Sequence, residues 1–416
     1  MHESRREFLS VAADRLAAGR SPGQLAGDER FWFQIQQAFD IDRSLINLNN
    51  GGVNPAPRIV QDAMRRHLEY ANQSPAHNLW RVQDPEVETV RQRLARTFGC
   101  DPEEMAITRN ASEAMEIAIM GLNLKPGDEI LTTDLDYPRM IHAIKQRELR
   151  EVEQYEKHIT PRTKALLVCH MTTYTGQIFP VKQICTMARK HGVKSIVDGA
   201  HAFGHFVFDG GDIGCDFYGN SLHKWMTAPH GTGFLHVRKE NIADHWALMA
   251  AKDPRSPDIR KFEEIGTHPA ANRLAIAESL AFHQSIGVER KAARLRYLRE
   301  RWSRRLEQLP GVKTLTSYDP AMSCGIGERL TAHDRVKSLT NLDPAQSCAM
   351  ATLNFEGVDH AKLVSHLWNK HKIVTISIDY NGVRGVRVSP NVYTTLTEID
   401  MFCDAVERVL KDGLPA

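Results

Sequence analysis

Short apolar runs that end in polar or glycine-rich loops alternate with segments of helical periodicity through the first two thirds of the chain. The runs EILTTDLDY, KALLVCHMTTY and SIVDGAHAFG are typical of buried strands, and the segments between them place apolar residues at helical spacing. Strands that alternate with helices in this way predict a mostly parallel α/β sheet, which binds ligands at the carboxyl ends of its strands.

The two ends of the chain have other patterns. Residues 1–45 show helical spacing with a break near Ser21, and short strands such as MATLNFEG and GVRGVRVSP accompany two helices near the C-terminus. The C-terminal pattern indicates an α+β domain with an antiparallel sheet. We therefore predict three parts: an N-terminal helical segment at 1–45 that packs with the small domain, a large α/β domain at 46–285 and a small α+β domain at 286–416.

Composition argues against several classes of function. The 416 residues include 53 basic and 51 acidic ones, so a formal net charge of +2 provides no field that would capture nucleic acid or an anionic membrane. A run of arginines between Glu289 and Glu307 is interpreted as the solvated face of an amphipathic helix, because no aromatic platform accompanies it. No apolar run reaches the roughly 18 residues that would span a bilayer.

The cysteines and the N-terminus bear on cellular location. Seven scattered cysteines without metal-ligand spacing indicate reduced thiols in a cytoplasmic enzyme rather than disulfides or a metal site. The segment from Ser4 to Leu9 resembles the start of a twin-arginine export signal, but Asp14 and Arg15 interrupt the apolar stretch that such a signal needs. We predict an amphipathic helix here and a cytoplasmic protein, with a periplasmic location as the alternative.

The stretch from residue 195 to residue 235 carries the strongest chemical signal. One buried strand delivers Asp198 and His201 at its end, and the next short strand delivers Ser221, His223 and Lys224 into a turn. A lysine placed at a strand end is a candidate for a neutral amine that forms a Schiff base with an aldehyde cofactor.

Further candidates lie at other strand ends and at a helix start. Ala111 and Ser112 open a helix after a polar turn, and free N–H groups at such an end suit a phosphate. Tyr137 and Thr173 each follow a predicted strand. Arg387 lies in an apolar strand and therefore needs an anionic partner, either a protein carboxylate or the carboxylate of a substrate.

The motif VDGAHAFGH followed by NSLHKW resembles the fold-type I pyridoxal-phosphate enzymes, and within them the class V aminotransferase family. The resemblance extends from about Leu45 to Leu410 and is greatest to the isopenicillin N epimerase-like branch, with cysteine desulfurases and kynureninases as more distant relatives. It implies a large domain with a mostly parallel, seven-stranded-type sheet and a smaller α+β C-terminal domain.

The resemblance also implies roles for the residues that converge at the strand ends. Lys224 would hold the pyridoxal 5'-phosphate, Asp198 would pair with its ring nitrogen, and His201 would neighbour its phenolic oxygen. A negative charge beside the ring nitrogen keeps the ring protonated, which favours removal of electrons from Cα. Ser221 and His223 would bind the phosphate together with the helix start at Ala111 and Ser112.

The remaining implied roles concern the substrate and a second subunit. Tyr137 would stack on the cofactor, and Thr173 would lie near its phenolic oxygen. Thr267 would reach the cofactor phosphate of a neighbouring subunit, which implies a homodimer with active sites at the interface. The substrate-binding candidates are Arg387, which would bind the α-carboxylate, together with Asn50 and Gly51 in the N-terminal loop.

Two departures from the family pattern bear on function. Residues 151–163 are shorter than in relatives, which suggests a trimmed sheet edge. The segment ISIDYNGVRGV at 376–386 contains no cysteine, so the persulfide chemistry of the desulfurases lacks its nucleophile there; Cys324 and Cys348 lie outside the matching motif.

We therefore predict an enzyme that acts at the Cα of an amino acid, either an epimerase or an aminotransferase. A β-eliminating C–S lyase is the alternative. A protein that binds the cofactor without catalysis is a third hypothesis, against which the presence of both Lys224 and Asp198 argues. We expect no metal, no nucleic acid and no membrane among its partners.

Overall fold

The structure, a computed structural model, describes residues 15–133, 135–146, 159–314, 347–380 and 382–414. The Arg5–Arg6 segment, Cys324 and most of the shortened stretch at 151–163 lie outside the described residues. The helices, in chain order, are α1 (Pro22–Ala26), α2 (Glu29–Gln36), α3 (Arg58–Gln73), α4 (Pro75–His77), α5 (Asp84–Phe98), α6 (Ala111–Met120), α7 (Pro138–Gln146), α8 (Val181–Lys190), α9 (Gly210–Ile213), α10 (Lys239–Ile242), α11 (Ala271–Leu274), α12 (Ile276–Ile286), α13 (Val288–Glu307), α14 (His360–His371) and α15 (Leu396–Asp412).

A six-stranded mixed sheet forms the centre of the described structure, in the order β2-β7-β6-β5-β4-β3. Its strands are β2 (Met105–Thr108), β3 (Glu129–Leu131), β4 (Thr163–Cys169), β5 (Lys194–Asp198), β6 (Phe217–Ser221) and β7 (Gly233–Val237). Strands β3 to β6 pair in parallel, and β7 runs antiparallel to both β2 and β6. The predicted α/β fold is therefore confirmed, with six strands among the described residues rather than seven.

The central sheet is buried on both faces. Along β4, Leu166 and Val168 belong to one apolar cluster, whereas Ala165 and Leu167 belong to another. Alternate residues of a strand point to opposite faces, so both faces of this sheet are covered, as is usual for parallel strands. This double burial explains why the strands are continuous apolar runs in the sequence.

A second sheet lies in the C-terminal part and is fully antiparallel, in the order β11-β12-β9-β8. Its strands are β8 (Val312–Thr314), β9 (Ala351–Phe355), β11 (Ile376–Tyr380) and β12 (Val383–Val388). The short strands β1 (Ile46–Asn47) and β10 (Ile373–Val374) pair in parallel. This pairing attaches the segment that follows the N-terminal helices to the α+β part of the chain.

The N-terminal helices pack on α13. Trp32 donates its indole N–H to the carbonyl of Leu25 at 2.8 Å, which links α2 to α1. Arg294 of α13 donates to the carbonyl of Ala26 at 3.0 Å and forms an ion pair with Glu29 at 2.5 Å. These contacts join the N-terminal helices to α13; the predicted division into 1–45, 46–285 and 286–416 stays a prediction.

The interpretation of the arginine-rich helix as a solvated face is wrong for part of α13. Lys291, Arg294 and Arg299 are buried, with 2%, 0% and 3% of their surface exposed. Lys291 donates to the carbonyl of Trp225, and the other two have the partners Ala26, Glu29 and Ser347. The charge pattern did not reveal this burial because most of these partners are backbone atoms or lie far away in the sequence.

A buried ion pair links the central sheet to the segment that carries Thr267. Arg91, with 1% of its side chain exposed, forms a bidentate pair with Glu263, which also accepts the backbone N–H of Ile107. Removing one member of such a pair leaves an uncompensated buried charge.

We predict that Glu263→Ala lowers the free energy of unfolding by about 3 kcal/mol, because Arg91 loses its most buried partner. The neighbouring Glu264 is exposed, so Glu264→Ala serves as the matched control and should change stability by less than about 0.5 kcal/mol. Chemical denaturation measures both values. Equal stabilities of the two variants would contradict the structural role of Glu263.

Candidate active site

The carboxyl ends of β5 and β6 bring the two halves of the 195–235 stretch together. The strands pair in parallel, with Asp198 opposite Gly219, so both strands end at the same edge of the sheet. Lys224 follows β6 in a turn closed by the hydrogen bond from the N–H of Thr227 to the carbonyl of Lys224, at 3.2 Å. Thr227 has a φ of 54°, an uncommon backbone conformation for a β-branched residue.

Lys224 and His201 are in direct contact. The amine Nζ of Lys224 lies 3.0 Å from Nε2 of His201. Burial lowers the pKa of Lys224 to about 8, with the Asp198 charge acting in the opposite direction and Arg387 in the same direction. The uncharged amine, the state that a nucleophile or general base requires, is therefore much more populated near neutral pH than in an ordinary lysine.

Asp198 and His201 are both buried, with 5% of each residue exposed. Asp198 accepts the N–H of Ala200 at 3.0 Å, and burial raises its pKa while the Lys224 charge lowers it. Burial holds the pKa of His201 well below its ordinary value, so this imidazole is neutral. Its Nδ1 atom is buried and has no hydrogen-bond partner among the described residues.

The start of α6 is tied to the end of β6. The N–H of Ala111 donates to Oγ of Ser221 at 2.9 Å, and the Asn110 side chain caps the helix by accepting the N–H of Glu113. Ala111 was expected to offer its N–H to a phosphate; in this structure Ser221 accepts that N–H, and the phosphate contact stays a prediction. The Ser112 side chain has no hydrogen bond in the described part of the chain.

His223 lies in the same turn as Lys224. It is half-buried, and its Nδ1 is 3.3 Å from the carbonyl of Thr232. Burial lowers the pKa of His223 to about 4, so the imidazole is neutral at physiological pH. The predicted phosphate ligands Ser221 and His223 therefore flank the same short turn, with Ser112 at the helix start beside it.

Arg387 is a buried cation whose hydrogen-bond partners are all uncharged. Its Nη1 donates to the carbonyl and to Oγ1 of Thr173, both at 2.8 Å, and its Nη2 donates to Oδ1 of Asn49 at 2.9 Å. No carboxylate forms an ion pair with it among the described residues, and its Nε is buried without a partner. Burial lowers the pKa of Arg387 to about 10. Of the two anionic partners considered, only a ligand carboxylate fits this environment.

Thr173 was expected near the phenolic oxygen of the cofactor, but the structure uses its hydroxyl and its carbonyl to hold Arg387. Tyr137 directly precedes α7 and has 40% of its surface exposed. It is close enough to Arg387 to affect the pKa of that guanidinium. Its ring is therefore available to a ligand at this edge of the sheet.

The two predicted substrate-binding residues of the N-terminal loop, Asn50 and Gly51, lie in different environments. Asn50 is fully buried; its amide donates to the carbonyls of Asn47 and Ser389, and its Oδ1 accepts the Tyr393 hydroxyl. The Asn50 side chain therefore holds the loop, and its predicted contact with substrate stays a prediction.

Gly51 lies beside the Arg387 guanidinium. A Cβ added to Gly51 would lie 3.5 Å from Cζ of Arg387 and 2.6 Å from the sulfur of Met350. Only a residue without a side chain leaves this approach to the guanidinium open. Asn49 lies in the same polar loop, and its side chain contacts the Arg387 guanidinium.

Thr267 is not brought to Lys224 within this chain. It is exposed and lines a cleft of about 390 Å³ together with residues that include Trp80, Glu264 and Arg273. Its implied contact with a neighbouring subunit's cofactor stays a prediction.

The α/β fold, together with Lys224 and Asp198 at the carboxyl ends of neighbouring strands and the buried Arg387 of β12 close to Lys224, is that of a fold-type I pyridoxal-phosphate enzyme. Residues 46–402 match the family described as Aminotransferase class-V, and the chain belongs to this family. Its sequence is 30% identical over 414 residues to isopenicillin N epimerase from Streptomyces clavuligerus, which covers 91% of this chain and 98% of that protein. The predictions of family and of cofactor are thereby confirmed.

Solved structures of similar fold include a cysteine desulfurase from Thermococcus onnurineus NA1. Its TM-score is 0.76 at 20% identity, over 91% of this chain and 98% of that chain. A variant of C-DES with glycine covalently linked to its PLP cofactor has a TM-score of 0.71 at 22% identity, over 87% of this chain and 96% of that chain. These similarities support the fold.

The residues present fit pyridoxal phosphate. The buried Nδ1 of His201 is a polar atom without a partner among the described residues, at a place where a ligand is expected. The amine of Lys224 and the buried carboxylate of Asp198 complete the set. No helix among the described residues is both long and apolar enough to cross a membrane.

We predict that cofactor-free protein takes up pyridoxal phosphate faster as the pH rises, with a midpoint at about 8, because the neutral amine of Lys224 is the reacting form. The growth of visible absorbance measures the rate. Lys224→Ala is the control and should give no such absorbance. A midpoint near 10.4, the value for an unperturbed lysine, would contradict the inferred effect of burial.

Proposed function

We propose that this chain is a pyridoxal-phosphate-dependent amino-acid epimerase, which removes and returns the proton at Cα. The observation that carries the proposal is the buried Arg387, which has no carboxylate partner among the described residues and lies close enough to Lys224 to lower the pKa of its amine. One site thus combines a binding group for an α-carboxylate with a candidate base. The similarity to isopenicillin N epimerase from Streptomyces clavuligerus supports epimerisation over transamination.

Each residue of the site has a distinct role in this proposal. Arg387 binds the substrate carboxylate and so orients Cα, and the Lys224 amine takes the proton from Cα as general base. Asp198 holds a negative charge next to the cofactor ring nitrogen, and the bound cofactor withdraws electrons from Cα. His201, in contact with Lys224, remains neutral and adds no positive charge to the site.

The other predicted ligands serve the cofactor. Ser112, Ser221 and His223 bind its phosphate, and Tyr137 covers its ring. The neutral state of His223 makes it a hydrogen-bonding rather than a charged phosphate ligand. The helix start at α6 adds its partial positive charge.

A β-eliminating C–S lyase is the second candidate. The six described cysteines are unpaired and mostly buried, and burial raises the thiol pKa of Cys100, Cys185 and Cys403 to about 12. Such thiols do not act as persulfide acceptors near neutral pH. Within the described residues, this argues against desulfurase chemistry but leaves a lyase, which needs no such acceptor.

Incubation of the holoenzyme with a panel of amino acids in heavy water tests the proposal. An epimerase introduces deuterium at Cα and inverts its configuration, which mass spectrometry and chiral chromatography measure. Lys224→Ala should slow this exchange at least about 1,000-fold, because it removes the general base. A keto acid product would instead indicate transamination, and pyruvate with sulfide or ammonia would indicate the lyase. The absence of exchange with every amino acid would contradict Cα chemistry altogether.

We also propose a homodimer in which Thr267 of one subunit binds the cofactor phosphate of the other. Thr267→Ala should weaken cofactor binding about tenfold, the effect of losing one hydrogen bond to a charged group. Mixing Thr267→Ala with Lys224→Ala subunits should restore one intact site per heterodimer, because each subunit supplies what the other lacks. Cofactor titration measures the restored site. Failure of the mixture to bind more tightly than Thr267→Ala alone would contradict a contact across the interface.

For the domain arrangement we propose the boundaries 1–45, 46–285 and 286–416. We further propose a cytoplasmic location, supported by unpaired thiols at all six described cysteines, since disulfides are rare in reducing compartments. Limited proteolysis checks the boundaries, and cell fractionation checks the location.

A further inference from the structure

Uncharged oxygen atoms accept hydrogen bonds from both Nη atoms of Arg387. Thr173 supplies two oxygens to Nη1, and Oδ1 of Asn49 accepts from Nη2 at 2.9 Å. The guanidinium is buried, with 5% of the residue exposed. Its Nε is also buried and has no partner among the described residues. The full positive charge is therefore not compensated by any described carboxylate.

The backbone of Asn49 is fixed independently of its side chain. Its N–H donates to Oδ1 of Asn47 at 3.0 Å, its carbonyl accepts the N–H of Gly52 at 3.0 Å, and it forms a bridge to Ser389 just after β12. The described hydrogen bond of its side chain is the one to Arg387. The Asn49 amide can therefore leave the guanidinium without opening the loop.

The side chains of the neighbouring Asn47 and Asn50, unlike that of Asn49, form hydrogen bonds within the loop and its surroundings. Asn47 donates to Asn50 and to the Tyr393 hydroxyl, and Asn50 bonds to the carbonyl of Ser389. These side chains hold the loop together. A purely structural role is thus already filled by Asn47 and Asn50, which leaves the Asn49 side chain for Arg387.

We propose that Asn49 is a positioning residue that orients the Arg387 guanidinium before substrate binds and then yields its hydrogen bond on Nη2 to the substrate carboxylate. This inference rests on the proposed function. A carboxylate forms the stronger, charge-assisted hydrogen bond with guanidinium, so it displaces a neutral amide oxygen. An aspartate at position 49 would compensate the charge of Arg387 permanently and would compete with the substrate. The neutrality of Asn49 therefore keeps the site selective for an incoming anion.

The central test is Asn49→Asp, which changes the amide to a carboxylate with almost no change in shape. We expect the KM for the amino-acid substrate to rise about 30-fold, the size of effect that a close charge pair produces. The kcat should change much less, because the competition affects binding of the carboxylate and not the proton transfer. Asn49→Ala should raise KM only a few-fold, since it removes a single neutral acceptor.

Asn72 provides a matched control for the added charge. It is exposed on α3, so Asn72→Asp introduces the same negative charge without a buried cation nearby and should leave KM and kcat unchanged. The second control is a ligand: an amine with the same side chain as the amino-acid substrate but without its carboxylate. Its binding to the holoenzyme, followed by the visible spectrum, should be equal in the wild type and in Asn49→Asp.

Thermal unfolding gives a readout that does not depend on activity. Asn49→Asp should melt at a higher temperature than Asn49→Ala, because only the aspartate compensates the buried charge of Arg387. The proposal is overturned if the two variants melt alike, if Asn49→Asp leaves KM unchanged, or if it weakens the amine and the amino acid equally. If the wild-type holoenzyme responds to no amino acid, the proposed function fails, and the melting comparison still decides the role of Asn49.

Discussion

The buried charge of Arg387 is the constraint on which the arrangement of this site depends. A guanidinium inside a protein must be surrounded by hydrogen-bond acceptors or paired with an anion. Here the acceptors come from the loop after β4 and from the loop after β1, while the arginine itself lies on β12. Three distant parts of the chain must therefore meet before this charge is stabilised, and they meet at the place where we propose that a carboxylate binds.

On the other side of the site, the pKa values of Asp198, His201 and Lys224 depend on the low polarity of the sheet edge. Asp198, His201 and Lys224 lie where two parallel strands end; Asp198 and His201 are buried, and Lys224 is half-buried. This burial raises the pKa of Asp198, lowers that of His201 and brings that of Lys224 to about 8. The same environment thus keeps the imidazole neutral and supplies an amine that can exchange a proton at physiological pH. These are the properties that chemistry at Cα requires.

Buried cations also connect the N-terminal helices to the rest of the molecule. Arg294 reaches from α13 to the end of α1, and Lys291 reaches the carbonyl of Trp225, the residue after Lys224. Trp225 in turn stacks on His205 at a centroid distance of 3.6 Å, and His205 contacts the carbonyl of His201 at 2.7 Å. A helix whose charges suggest solvent exposure therefore packs against the turn that carries Lys224.

The sequence by itself determined the α/β fold, the antiparallel C-terminal sheet and the convergence of Asp198 with Lys224. Periodicity reports which face of a segment is buried, and polar residues at the ends of adjacent parallel strands meet whatever the details of packing. Only the tertiary structure decided that Thr173 and Asn49 hold Arg387, that Asn50 holds its loop, and that Lys291 is buried. The reason is separation along the chain: Arg387 bonds to residues 214 and 338 positions away, and no local pattern encodes such partners.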